Sequence, residues 1–280
     1  MTRKILSQYN EQEQTASNET DQLIIAVSNN ELSCMIKGSL SGEIEGFELF
    51  RLENNKTDWG DLFYELRTSS RLLNKTCRTT HCYYNFEEAV IIPEHKFSGA
   101  SAEDYLSLLY GESNHHDIKF DPLGGDTKMV NAYRVRKSIH EIIGRHFLLY
   151  KPHHIYSSVI ETILSKKDQS PDFMYVQFYH AHMVLAIIKQ GGLQLIQTFH
   201  FEKQEDILYH LLNCSRQFEF DANISHLEIS GMFETGSVLH KQIQPLFGLI
   251  TFDGAEPTGV FKHINGYPPY YFIPYAKLGI

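Results

Sequence analysis

Short apolar runs separated by turn residues dominate the first part of the chain. Apolar runs at residues 23–27 and 32–36 flank Asn29-Asn30, and asparagine tolerates the left-handed backbone of a tight hairpin turn. A third strand is predicted at residues 46–52. Asp58 then suits a helix N-cap, and apolar residues recur behind it at helical spacing. This pattern predicts three antiparallel strands followed by a helix.

The second half of the chain repeats this order of elements. Strands are predicted at residues 173–179, 183–189 and 193–201, then a helix at 204–217 and a strand at 226–229. Between the halves the pattern is less regular. It predicts strands at 78–84, 89–92 and 129–135, a helix capped by Ser101, a helix at 138–150 ended by Pro152, and a helix at 156–165.

This order predicts a mixed α/β (α+β) protein with two lobes. Three hairpin-linked strands followed by alternating helices and strands is the order of the ribonuclease H-like fold, and two such halves make the actin-like fold. We assign residues 1–20 to a flexible polar leader, 21–168 to the first lobe with an insertion, and 169–280 to the second lobe. The boundary is placed in the polar break KKDQSPD.

Several phrases of the sequence resemble a known family. They are YVQFYHAHMVLAIIKQGGLQLIQTFHFEKQEDILYHLLNCSRQF, ISHLEISG and the closing YPPYYFIPYAKL. They resemble a bacterial family of uncharacterised proteins, a domain of unknown function, whose members show an actin-like ATPase fold. That family is similar to the actin-like proteins of type IV pilus assembly. The resemblance runs from about residue 21 to the C-terminus and implies the fold, but no established activity.

The resemblance also locates three turns that hold nucleotide in actin-like ATPases. The first turn needs an aspartate for Mg²⁺ and small residues whose amides cradle phosphate. Here it reads Ser28-Asn29-Asn30, which offers hydrogen-bond donors without a carboxylate. The second turn reads YHAH over residues 179–182, with bulky residues in place of glycine. The third reads Ser230-Gly231 and keeps one glycine of the expected pair.

These turns predict a protein without ATPase activity and without a cofactor. If a nucleotide does bind, Ser28, Asn29, Asn30, Ser230 and Gly231 are the residues that we expect to contact it. The alternative is an ATP-dependent enzyme, an ATPase or small-molecule kinase, that uses ATP and Mg²⁺ through divergent turns. A carboxylate supplied from elsewhere, such as Glu31 or Asp253, would favour that alternative.

The composition of the chain argues against several classes of partner and of protein. The chain has 25 Lys and Arg and 34 Asp and Glu, which give a net charge of −9. This charge argues against a nucleic acid as the binding partner. A ribonuclease H-type nuclease is excluded because the first strand of each lobe carries no acidic residue. No apolar run approaches the ~18 residues of a transmembrane helix. The four cysteines show no CxxC motif, which favours free thiols in the cytoplasm.

Histidine and tyrosine are the remaining unusual features. His180 and His182 could share a metal on one strand face, but we favour solvated side chains at a turn and predict no metal site. His115-His116 is expected to be solvated, and His153-His154 to cap or flank the next helix. The closing tyrosine run suits an interface, although we favour its packing on the second lobe. We predict a scaffold that binds a protein or peptide, or a small molecule, in a cleft between the lobes.

Overall fold

The computed structural model describes residues 2–10, 20–53, 58–124, 128–147, 149–164, 166, 171–220 and 225–278. The chain forms two compact units. The first comprises Met1–Glu161, Thr258–Ile264 and Lys277–Ile280, and the second comprises Thr162–Pro257 and Asn265–Ala276. The second lobe predicted from the sequence, residues 169–280, includes Thr258–Ile264 and Lys277–Ile280, which here belong to the first unit. In the described part of the chain, no helix is long and apolar enough to cross a membrane.

The strands are β1 (Thr2–Tyr9), β2 (Gln22–Val27), β3 (Glu31–Lys37), β4 (Ile44–Leu52), β5 (Thr79–Tyr84), β6 (Ala89–Pro93), β7 (His116–Pro122), β8 (Met129–Arg136), β9 (Tyr150–His154), β10 (Phe173–Phe178), β11 (His182–Lys189), β12 (Gly192–His200), β13 (His226–Gly231) and β14 (Leu249–Phe252). The helices are α1 (Trp59–Ser69), α2 (Gly99–Tyr110), α3 (Lys137–His146), α4 (Ile155–Leu164), α5 (Gln204–Gln217), α6 (Val238–Ile243) and α7 (Ile273–Ala276).

The first unit is built on a six-stranded sheet of order β1-β4-β3-β2-β5-β9. The predicted hairpin of β2 and β3 is confirmed, and β4 continues it antiparallel. The strands β5 and β9 then add parallel to β2 on its other side. A small sheet of order β6-β8-β7, with α2 packed on it, forms the insertion.

The flexible leader expected at the N-terminus is wrong for Thr2–Tyr9. These residues form β1, which pairs antiparallel with β4 along its length. Their exposure alternates along the strand, as expected for a strand at the edge of a sheet with one half-covered face. Polar residues therefore form a strand here because a distant strand supplies their hydrogen bonds. The rest of the expected leader, residues 11–19, lies outside the described residues.

Two further boundaries differ from those predicted. The helix expected over residues 138–150 ends at His146, and Tyr150–His154 is instead strand β9. Proline is tolerated there because β9 lies at the sheet edge, where an amide hydrogen is not required. The N-cap of α2 is Ser98, and Ser101 is its partner in a capping box.

The second unit repeats the architecture with a sheet of order β12-β11-β10-β13-β14. The first three strands are antiparallel, and β13 and β14 are parallel to β10. One face of β10 and β11 packs on α5 and α6 to form the core, which includes Met174, Val176, Leu185, Ile207 and Ile243. In each unit three antiparallel strands, β2–β4 and β10–β12, are followed by a helix and a further strand, which is the element order predicted for a ribonuclease H-like lobe.

The C-terminal tyrosine run packs on the second unit, as favoured from the sequence. Tyr270, Phe272 and Tyr275 are buried, and Phe252 stacks on Tyr270 with ring centroids 4.5 Å apart. Tyr267 keeps 42% of its surface exposed. No disulfide joins Cys34, Cys77, Cys82 or Cys214, all of which lie in the described part of the chain.

Candidate functional site

The first turn is closed by its own serine. The Ser28 hydroxyl accepts hydrogen bonds from the N–H groups of Asn30 and Glu31 at 3.3 and 3.1 Å. The Ser28 N–H donates to the Glu31 carbonyl at 2.9 Å. Ser28 and Glu31 are buried, and Asn29 and Asn30 are half-buried. Two N–H groups that could hold a phosphate in this turn therefore already have an acceptor.

The second turn is filled with rings. The Tyr179 ring stacks on the His182 ring, with centroids 4.8 Å apart and planes 8° apart. The Tyr179 N–H donates to the His182 carbonyl at 2.9 Å, which closes the hairpin. His180 lies in the turn, while His182 is buried as the first residue of β11. The prediction that both histidines are solvated is therefore wrong for His182.

The third turn uses its glycine for packing. Gly231 has a positive φ of 90°, and a Cβ there would lie 2.2 Å from the Phe178 carbonyl oxygen. The turn backbone approaches β10 so closely that only glycine fits. Ser230 is fully buried on the neighbouring strand position. The geometry thus gives Gly231 a structural role whether or not the turn contacts a ligand.

A buried polar network covers the face of β10 that is turned away from the core of the second unit. The Tyr175 hydroxyl donates to Asp253 at 3.0 Å and accepts from the Gln177 amide at 3.1 Å. The Tyr179 hydroxyl donates to the Gln177 side-chain oxygen at 3.0 Å. Burial, with the nearby Asp253 carboxylate as a further cause, raises the pKa of Tyr175 well above its usual value. Asp253, one of the carboxylates considered for Mg²⁺, therefore already accepts a hydrogen bond from a neutral tyrosine.

A cleft in the first unit has a volume of about 530 Å³. Its floor is a stack of rings. His153 stacks on His81 and on Tyr83, with centroids 5.2 and 5.0 Å away. Because Tyr83 pairs with His153 in the parallel register of β5 and β9, their side chains share one face of the sheet. Polar groups from β7 and α4, with one lysine, line the cleft: Asp121, Ser157, Ser158, Glu161 and Lys277.

The cleft holds neutral imidazoles and a buried, hydrogen-bonded carboxylate, that of Asp121. Burial and the neighbouring His153 lower the pKa of His81 to about 4, and burial also lowers the pKa of His153. The two imidazoles share a hydrogen bond of 3.0 Å. Burial raises the pKa of Asp121, against the opposing effect of hydrogen bonds from His154, Ser157 and Tyr133. The cleft can therefore offer flat ring faces together with hydrogen-bonding groups at neutral pH.

Sequence reasoning missed this cleft, although it singled out one of its residues. His153-His154 stood out as a pair, but Pro152 made the segment look like the end of a helix. The expected capping by this pair is confirmed for His154, whose Nδ1 accepts from the Tyr156 N–H of α4 at 3.2 Å. Among the described residues, no group of three or more His, Cys, Asp or Glu could hold a metal ion.

Comparison with known proteins identifies the fold. The profile of a family described as "Protein of unknown function (DUF3822)" matches residues 10–249. The chain is similar to a Bacteroides thetaiotaomicron protein with actin-like ATPase fold and unknown function (15% identity, TM-score 0.77, 93% of this chain and 95% of that chain covered). It is also similar to a chain of the PilM-PilN type IV pilus biogenesis complex (11% identity, TM-score 0.51, 93% and 97% covered). The sequence matches no curated protein. These likenesses confirm the predicted actin-like fold.

Proposed function

The chain belongs to the DUF3822 family of proteins of unknown function, and we propose that it is a non-catalytic actin-fold protein that binds a polypeptide partner. The binding site in this proposal is the cleft over His81, Tyr83 and His153, which we call the ring cleft.

The closure of the first turn is the observation that carries the non-catalytic part of the proposal. A phosphate bound there would have to displace the Ser28 hydroxyl from two backbone N–H groups. The two N–H groups would then donate to the phosphate, but the buried Ser28 hydroxyl would lose both donors, and a buried polar group that loses its partners costs about 1–3 kcal/mol. The Tyr179–His182 stack at the second turn, in the other unit, supports the same conclusion. We therefore expect these turns to hold neither ATP nor Mg²⁺.

The ring cleft supports the binding part of the proposal. Its volume of about 530 Å³ lies within the ~300–1,000 Å³ range of pockets that enclose a ligand. An extended polypeptide presents amide groups between its side chains, and the cleft offers hydroxyl and carboxyl groups beside ring faces. The similar chain belongs to the PilM-PilN type IV pilus biogenesis complex. That precedent favours a protein partner for this chain.

The non-catalytic part is tested by thermal unfolding with and without Mg²⁺-ATP. A ligand at about 100 times its dissociation constant stabilises the native state by about 2.7 kcal/mol, which is several degrees for a chain of this size. We expect no shift. An upward shift of several degrees, with ATP hydrolysis above that of a boiled control, would support the ATP-dependent alternative.

The binding part is tested with a variant that fills the ring cleft. Ser158 on α4 lines the cleft and is half-buried, so Ser158→Trp places an indole in it. Asn213→Trp, at an exposed position on α5, is the matched control. We expect a partner captured from the native host by the wild type and by Asn213→Trp to be lost with Ser158→Trp. Equal capture by both variants contradicts the proposed site. Glu161→Lys, at an exposed position of the cleft, repeats the test without added bulk.

A further inference from the structure

A second cleft in the first unit is basic, although the chain as a whole is acidic. It has a volume of about 360 Å³ and lies between the end of α1, the turn before β5 and the end of α3. Arg67, Lys75 and Arg78 line it, and its lining includes no aspartate or glutamate. In a chain with a net charge of −9, a recess lined by two arginines and no carboxylate has a local potential that attracts anions.

The Arg67 guanidinium is held in place by neutral acceptors. Its Nε donates to the Asn74 side-chain oxygen at 3.1 Å, and its Nη1 donates to Nδ1 of His146 at 2.7 Å. The Asn74 amide donates in turn to the carbonyls of Arg67 and Ser70 at 2.7 and 2.8 Å. Among the described residues, neither Arg67 nor Arg78 forms an ion pair with a carboxylate. A fixed guanidinium without a carboxylate partner is organised in advance to receive an anion.

The other residues that line the basic cleft indicate what kind of group the ligand carries besides its anion. Leu73, Phe147 and Leu149 supply an apolar surface, and Thr76 and Cys77 supply small polar groups. Partial burial and the charges of Arg67 and Arg145 lower the pKa of His146, so this imidazole is neutral and keeps its acceptor for Arg67. The C-terminal end of α1 carries a partial negative charge, which would repel an anion. The Asn74 amide reduces this effect because it donates to the carbonyl groups of Arg67 and Ser70.

We propose that this basic cleft binds a small molecule that carries a phosphate monoester group on an apolar body. The two arginines, Arg67 and Arg78, suit a dianion better than a single carboxylate, and the planar fork of arginine matches phosphate oxygens. The volume falls in the range of small-molecule pockets. The proposal is independent of the ring cleft, because the two clefts share no lining residue.

Calorimetric titration of the full chain with phenyl phosphate tests this proposal. Inorganic phosphate, benzoate and benzyl alcohol are titrated alongside. They distinguish the contributions to binding of the phosphate group, the negative charge and the aromatic ring. We expect phenyl phosphate to bind more tightly than the other three, and its affinity to fall as sodium chloride is added. No measurable binding of phenyl phosphate, or equal binding of benzyl alcohol, overturns the proposal. Equal affinity for inorganic phosphate contradicts the apolar part of the ligand.

Variants then assign the binding to the basic cleft. Arg67→Gln is expected to weaken phenyl phosphate binding by about tenfold or more, because a hydrogen bond to a charged group is lost. Arg78→Gln, at an exposed position, is expected to weaken it as well without a risk to the fold. Arg145→Gln is the matched control, since Arg145 is 73% exposed and paired with Glu141 outside the cleft. An equal loss in Arg145→Gln refutes the assignment.

Discussion

One buried carboxylate holds the N-terminal strand to the first unit, and its neutralisation gives a sharp test. Glu48 on β4 has no exposed surface. It accepts hydrogen bonds from Lys4 at 2.8 Å, from the hydroxyls of Tyr9 and Ser70, and from the Arg71 N–H at 3.0 Å. Lys4 and Tyr9 belong to β1, and the other two donors follow α1. Glu48 therefore joins three parts of the unit that are distant in sequence.

The magnitude follows from the pKa of Glu48. Burial alone would raise this pKa, but the hydrogen bonds from Lys4, Ser70, Tyr9 and Arg71 outweigh it and lower the pKa to about 2. Against an ordinary value of about 4.3, at 1.36 kcal/mol for each unit, the charged form contributes roughly 3 kcal/mol to folding. Because the folded pKa is the lower one, this stability is present above about pH 4.3 and is lost as the pH falls toward 2.

Glu48→Gln removes the charge and keeps the shape. We expect a loss of about 3 kcal/mol in the free energy of unfolding at neutral pH, because Lys4 and several donors lose their acceptor. Urea unfolding is followed by the fluorescence of Trp59, the single tryptophan of the chain, which begins α1 in the same unit. Glu141→Gln, which breaks an exposed pair with Arg145, is the control and should cost under about 0.5 kcal/mol. Equal costs for the two variants would refute this account of Glu48.

Two further predictions concern backbone packing and pH. Gly231→Ala should lower the thermal unfolding midpoint of the second unit much more than Gly236→Ala. Both glycines have a positive φ, but only at Gly231 would a Cβ meet a backbone oxygen, that of Phe178, at 2.2 Å; equal shifts would contradict this reasoning. Burial lowers the pKa of His154 to about 3, so its unfolded form takes up a proton first as the pH falls. Stability should decline from about pH 6.5 toward pH 3, and His154→Gln should flatten that decline in urea unfolding measured across this range.

The sequence locates the candidate turns, but it does not show which hydrogen bonds and contacts the turn residues form. Ser28, Asn29 and Asn30 were placed in a hairpin turn by the apolar runs on either side, and the structure confirms the hairpin. That the Ser28 hydroxyl accepts two N–H groups of the turn depends on side-chain orientation, which residue types alone do not define. For Gly231, the missing neighbour was Phe178, which lies more than fifty residues away in the chain. That the residues of the first and third turns contact a nucleotide stays a prediction.

The parts that sequence reasoning missed depend on distant partners. β1 lacks an apolar pattern, and it forms a strand because β4 offers hydrogen bonds and Glu48 accepts from its side chains. β9 contains a proline, and it is a strand because β5 lies beside it. The ring cleft exists only because β5 and β9 bring His81, Tyr83 and His153 to one sheet face.

What the sequence determined by itself is the order of the strands and helices in both units other than β1 and β9, because hydrophobic periodicity and turn residues act between near neighbours. What only the tertiary structure decided is the pairing of β1 and β9, the closure of the turns and the two clefts of the first unit. These depend on contacts between residues far apart in the chain, where the stabilising groups belong to a partner that the local sequence does not specify.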